Sequence, residues 1–195
     1  MIEKNTVKEI LSRVVKPKSH VALFYEMEQD LNQMVVHLIR KSIEREELVV
    51  HVIREEKISG VEAVAKREGI NLGELAKSRA LRLLSPDKVY REIPKNIILR
   101  WLDILKEGLR MGFTGMRVIS DGSWFLEENE TKKLLRYEEA LGRRFFVPAT
   151  GICIFNTNLF LDRRMEDLFI KLLVLHSSSI IVGRKKALYV GEDIY

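Results

Sequence analysis

The chain has 195 residues, 46% of them apolar and 31% charged, with a net charge of +5 at pH 7. That length suits one well-buried domain rather than two generous ones. No apolar run reaches the ~18 residues that span a bilayer and the N-terminus has no signal-peptide pattern, so a cytoplasmic protein without a membrane partner is expected.

Cys153 is the single cysteine, so no internal disulfide can form. Its neighbours Ile152 and Ile154 mark it as a small buried hydrophobe. Dense Lys, Arg and Glu with few Gln resembles a thermophile surface. The basic clusters Arg143-Arg144, Arg163-Arg164 and Arg184-Lys185-Lys186 are short and lack interleaved aromatics, so nucleic-acid binding is not expected.

In chain order, residues 4 to 15 predict an amphipathic helix with Val7, Ile10, Leu11 and Val14 on one face, ended by Pro17. It would cover a sheet edge or meet a second subunit, and a homodimer is one possible state. His20 to Tyr25 is the first strand. A helix follows with Leu31, Met34, Val35, Leu38, Ile39 and Ser42 at helical spacing. Leu48 to Ile53 is a second strand, and Ile58 to Arg67 a helix closed by Gly69. Ala80 to Leu84 is a third strand, ended by Ser85-Pro86.

Pro94 fits the first turn of the next helix, whose buried stripe is Ile98, Trp101, Leu102, Leu105 and Leu109, with Gly112 closing it. Met116 to Ser120 then predicts a strand buried on both faces, followed by the turn Asp121-Gly122-Ser123-Trp124. A helix from about Glu127 to Leu141 and a fifth strand, Thr150 to Phe155, come next. Asp162 is placed to cap a helix carrying Met165, Leu168, Phe169, Leu172 and Leu173. Ser179 to Val182 and Ala187 to Val190 flank Gly183 to Lys186 as a terminal hairpin.

Strands alternating with helices predict an α/β protein: three layers around a doubly wound, mainly parallel sheet, with a C-terminal β-hairpin. The expected division is an N-terminal helix over 1–17 and one α/β domain over 18–195.

Ligands of such sheets collect beyond the carboxyl ends of the strands. Phe24, Tyr25, Trp124 and Phe155, with Asp121, Ser123 and Asn156 as polar groups, fall at three such ends. Together they would make a mainly apolar small-molecule site. The competing reading is that Asp121 caps its turn and Trp124 covers the sheet edge.

The first strand-to-helix turn, Phe24 to Asp30, has neither glycine nor lysine and carries three acids, which argues against a phosphate loop. No Gly-x-Ser-x-Gly elbow surrounds Ser123, and Cys153 has no sequence neighbour that would activate it. Glu138 and Glu139 are by default a solvated face, although Tyr137-Glu138 offers a way to turn one carboxylate inward. An enzyme is not expected.

His20 and His176 both precede strands and so fall near the amino edge of the sheet. With Cys153 they would make a soft metal or redox site; the alternative, that both simply hydrogen-bond the backbone there, is adopted. No metal and no cofactor is assigned.

Several stretches together resemble one family. They are His20-Val-Ala-Leu-Phe24-Tyr25, Gly115-Met-Arg117 leading to Ser123-Trp124, Tyr137-Glu138 with Leu141, Cys153, and His176 ahead of Ile180 to Gly183. In this order they resemble the MEDS (methanogen/methylotroph DcmR sensory) domain over roughly residues 18 to 184. The resemblance implies a degenerate RecA/KaiC-like fold without the phosphate loop, and a non-catalytic domain responding to small hydrocarbon derivatives. By motif position it adds His20, Arg117, Glu138, Cys153 and His176 to the site. The chain departs from the family at Asp121-Gly122, at Cys153-Ile154-Phe155-Asn156 and at His176-Ser177. With no output module read on the chain, the expected role is a sensory or regulatory domain binding a small organic molecule or a protein partner, and acting through a separate output protein. The alternatives are a RecA/KaiC-like nucleotide-binding protein using Asp121 and a metal, a nucleic-acid accessory factor using the basic hairpin, and a protein-binding scaffold.

Overall fold

The computed structural model describes residues 4–91, 97–184 and 186–191. Pro94 and Lys185, named above for a helix start and a basic turn, lie outside them.

Seven strands form one sheet: β1 (His20–Tyr25), β2 (Glu47–Val52), β3 (Leu81–Leu84), β4 (Gly115–Asp121), β5 (Ala149–Asn156), β6 (Ser178–Val182) and β7 (Ala187–Gly191). Their order is β3-β2-β4-β5-β1-β6-β7. Every pairing is parallel except β6 with β7, the antiparallel terminal hairpin. The doubly wound α/β arrangement and its hairpin are thus as the hydrophobic patterning predicts.

Because side chains alternate along a strand, β1 feeds two cores: Val21, Leu23 and Tyr25 enter one, Ala22 and Phe24 the other. On the first face lie α1 (Lys4–Val14), α2 (Glu28–Ile43), α3 (Glu55–Arg67) and α4 (Leu72–Lys77). On the second lie α5 (Ile97–Arg110), α6 (Ser123–Glu127), α7 (Thr131–Leu141), α8 (Thr157–Asp162) and α9 (Glu166–Leu175). Helix α1 packs on α2 and β6, burying Leu11 and Val14 in the first core.

Four local readings are corrected. Glu127 does not begin the long helix: it ends α6, and Asn129 at φ 58° breaks the chain before α7 starts at Thr131. Asp162 does not cap a helix but closes α8, and α9 starts beyond Arg164, itself at φ 53°. In α5 the buried stripe is Ile97, Trp101, Leu105 and Gly108, while Leu109 is exposed. The stripe turns toward Gly108 because the backbone there approaches Leu48; a Cβ would sit 3.0 Å from its methyl. Helix α4 went unpredicted although Asn71 caps it, accepting a hydrogen bond from the Glu74 amide at 3.2 Å.

Gly122, between β4 and α6, is set by packing rather than by a positive φ. An added Cβ would lie 2.4 Å from Cε1 of buried Phe155. Gly122→Ala is therefore expected to destabilise the protein by about 1–3 kcal/mol, through overpacking, in urea unfolding. An unchanged midpoint would mean that the Phe155 ring moves without cost.

Candidate functional site

Four side chains from four elements converge in the second core. His20 comes from the first residue of β1, Glu138 from α7, Cys153 from the middle of β5, and His176 from the residue that ends α9. All four are buried, at 0–2% exposure. Their donor atoms lie within 4.8 Å of one another. His20 Nε2 is 3.2 Å from Glu138 Oε2 and 3.3 Å from Cys153 Sγ. His176 Nε2 is 3.4 Å from the same carboxylate oxygen, and Cys153 Sγ donates to it at 3.6 Å. Ser120 Oγ reaches Cys153 Sγ at 3.6 Å.

The other nitrogen of each imidazole is fixed by the backbone. His20 Nδ1 lies 2.7 Å from the Gly142 carbonyl, and His176 Nδ1 lies 2.7 Å from that of Leu172. Carbonyls only accept, so both Nδ1 atoms carry a hydrogen and both Nε2 atoms face the carboxylate. Each histidine thus hydrogen-bonds the backbone, both also reach Glu138, and His20 reaches Cys153 as well.

Burial alone would raise the Glu138 carboxyl, but the two imidazoles, His176 foremost, overcome it and hold the group down at about 2. Glu138 is therefore a buried carboxylate. Burial, reinforced by His176, pushes the His20 imidazole below its usual range against the opposing pull of Glu138. Burial and the nearby carboxylate push the Cys153 thiol well above its ordinary value. Left to itself, this cysteine is a poor nucleophile.

Beside the cluster lies a cavity of about 710 Å³. Its floor is formed by Met116, Val118 and Ala149 and its roof by Trp101 and Leu105 of α5, with fully exposed Phe146 at its rim. His20, Ser120 and Cys153 line it as well, so the cluster forms part of its wall. The arrangement is an apolar chamber with a few convergent polar groups, the composition of a small-molecule site.

A family model described as the MEthanogen/methylotroph, DcmR Sensory domain, MEDS, matches residues 19–170. The chain belongs to the MEDS family. His176 lies just beyond the matched span. No curated protein matches the sequence. Among solved structures, a protein of Pyrococcus horikoshii OT3 has a similar fold, with a TM-score of 0.62 and 11% identity over 93% of this chain and 90% of its own.

Of the five MEDS motif positions, His20, Glu138, Cys153 and His176 form the cluster, and Arg117 does not. Arg117 faces the other core, where its Nη2 pairs with Glu47 Oε2 at 2.9 Å. The seven residues expected at the carboxyl edge are split by the sheet. Phe24 and Phe155 stack in the second core with ring centroids 5.3 Å apart, and Trp124 packs there against Tyr90. Tyr25 and Asp121 face the first, where Tyr25 donates to Glu28 at 2.9 Å and Asp121 pairs with Lys57 at 3.5 Å. Asp121 Oδ1 also accepts from the Ser123 amide at 3.1 Å, and Ser123 Oγ from the Asn156 amide at 2.7 Å. Asn156 Oδ1 caps α8. None of the seven lines the large cavity.

The cavity residues Trp101, Ser120 and Phe145 were not singled out in sequence. The only available signal was Trp101 in the α5 stripe, which reads as ordinary core. Arg184 of the basic hairpin is paired with Glu26, Nε to Oε1 at 2.7 Å. Among the described residues no helix is long and apolar enough to cross a membrane.

Proposed function

We propose that this chain is a non-catalytic sensory or regulatory domain that takes a small, mainly apolar organic molecule into the cavity beneath α5. The observation that carries this reading is an apolar chamber of about 710 Å³ that shares His20, Ser120 and Cys153 with a buried polar cluster. Family membership supports the sensory role, and the apolar lining supports the ligand class. Burying the ligand's carbon skeleton supplies the affinity, and the polar wall selects for one hydrogen-bonding group.

The roof is α5 and the wall includes the loop from α7 to β5, residues 142–148. A ligand that contacts both favours the arrangement in which they close over it, and shifts the population accordingly. A separate output protein would then read the altered surface around that loop.

Native mass spectrometry of the purified protein, followed by identification of whatever it releases, tests this reading without choosing a ligand beforehand. Short-chain alcohols, aldehydes and alkanes then serve as probes in thermal unfolding. A ligand at ~100 times its Kd is expected to stabilise the fold by about 2.7 kcal/mol. Val118→Phe, which fills the cavity floor, is expected to erase that gain. No adduct, together with no stabilisation by any probe, would sink the proposal.

A further inference from the structure

We propose that His20, Glu138, Cys153 and His176 together bind one divalent transition-metal ion, zinc by preference, in tetrahedral geometry. The inference goes beyond the ligand reading, and metal content and cavity occupancy have separate readouts.

Zinc sits about 2.0–2.3 Å from nitrogen, oxygen and sulfur donors, so tetrahedral angles would separate neighbouring donors by roughly 3.3–3.6 Å. The observed separations are 3.2 Å for His20 to Glu138, 3.3 Å for His20 to Cys153, 3.4 Å for His176 to Glu138 and 3.6 Å for Cys153 to Glu138. The remaining pairs lie within 4.8 Å. Four of the six donor separations match the edges of a coordination tetrahedron, and the other two lie within 4.8 Å, so small side-chain adjustments bring all four donors onto one ion.

The outer hydrogen bonds are those a metal site requires. Each imidazole gives its Nδ1 hydrogen to a backbone carbonyl, which fixes the ring and directs the Nε2 lone pair inward. Two such lone pairs then face one carboxylate oxygen. A proton on either Nε2, or a metal ion among the donors, relieves the repulsion between them. A hydrogen-bond network alone also leaves His176 Nε2 and Glu138 Oε1 buried without partners.

Charge balance points the same way. One carboxyl and one thiol donor beside two imidazoles make a donor set whose charge a divalent ion can balance. On binding, the Cys153 S–H bond breaks, its electron pair forms the metal–sulfur bond, and the proton leaves to solvent. A divalent ion with one thiolate, one carboxylate and two neutral imidazoles is then electroneutral, which is the least costly charge state for a buried site. The mixed nitrogen, sulfur and oxygen donor set favours zinc or a neighbouring ion over magnesium or calcium.

The test uses the untagged full chain. Elemental analysis of protein grown with zinc is expected to give one ion per chain. After chelation, cobalt(II) titration is expected to produce visible bands of tetrahedral intensity and a near-ultraviolet thiolate-to-cobalt band. Because the chain has a single cysteine, that second band can only report Cys153. Cys153→Ser should abolish it, His176→Ala should reduce bound metal to background, and His37→Ala, outside the cluster, should change neither. If the variants do not fold, the cobalt titration of the unaltered chain decides alone. Absence of the thiolate band, or metal retained at full stoichiometry in folded Cys153→Ser, would overturn the assignment.

Discussion

Arg117→Met is expected to cost about 3–5 kcal/mol of folding stability, a large part of the 5–15 kcal/mol typical of a domain. Arg117 on β4 is 1% exposed and Glu47 on β2 is 8% exposed. Their side chains meet at 2.9 Å, and Arg117 Nη1 also reaches the Leu38 carbonyl at 3.4 Å. Removing the guanidinium leaves the Glu47 carboxylate in the core with no cation beside it. The penalty is the stranded charge more than the lost attraction, so removing the charge as well should restore much of the stability. Urea unfolding of Arg117→Met, Glu47→Leu and the double variant separates the two. A double variant no more stable than Arg117→Met would mean that packing, not charge, sets the cost.

The second large effect depends on pH. His51 lies in β2, 3% exposed, with Nδ1 donating to the Ile119 carbonyl at 3.0 Å and Nε2 without a partner. Burial pushes its imidazole down from 6.5 to about 4. The unfolded chain therefore takes up a proton near pH 6.5 and the folded one only near pH 4. Between these values the unfolded state binds more protons, so stability falls as the pH falls. Integrated over that window, the loss is about 3 kcal/mol. Denaturation of wild type and His51→Leu across pH 7 to 4 should give curves that diverge by this amount, with the variant the flatter. Parallel curves would show that His51 does not carry the dependence. The comparison cancels contributions common to both proteins, including those from His20, whose imidazole burial also lowers.

The strands were legible because a sheet covered on both faces writes itself as short apolar runs. β1 was located to the residue, and each of the other six to within one residue at either end. Two of the short elements that were missed are held by local polar contacts: α4 by Asn71 and α8 by Asn156. An Asn three residues before Glu74 is a capping pattern that could have been used. Neighbour order in the sheet was not legible, since it depends on pairings between distant strands.

The site was legible only in part, and for a related reason. His20, His176 and Cys153 could be placed near one another from their positions relative to predicted strands. Glu138 could not be separated from Glu139, because both sit on one helix and only the packing of α7 decides which turns inward. Glu138 is buried and Glu139 exposed. The cavity left no sequence signal, because residues that line a chamber have the same apolar character as residues that fill a core. At the carboxyl edge the difficulty was alternation: Phe24 and Tyr25 are adjacent in sequence and therefore on opposite faces.

Sheet order also governs how this chain is made. Among the described residues β1 pairs only with β5 and β6, and His20 is 133 residues from Cys153. At synthesis rates of ~5–20 residues per second, the first strand waits on the order of 10 s for its neighbours. During that interval β2, β3 and β4 can pair among themselves, while His20 to Tyr25 keeps two bare edges and an apolar surface. Contacts this distant also make folding slow after release. The cluster, drawn from residues 20, 138, 153 and 176, is complete only when the last of these docks. A nascent chain halted before β5 would hold a partial sheet, a first strand open to aggregation, and two of the four cluster residues, His20 and Glu138.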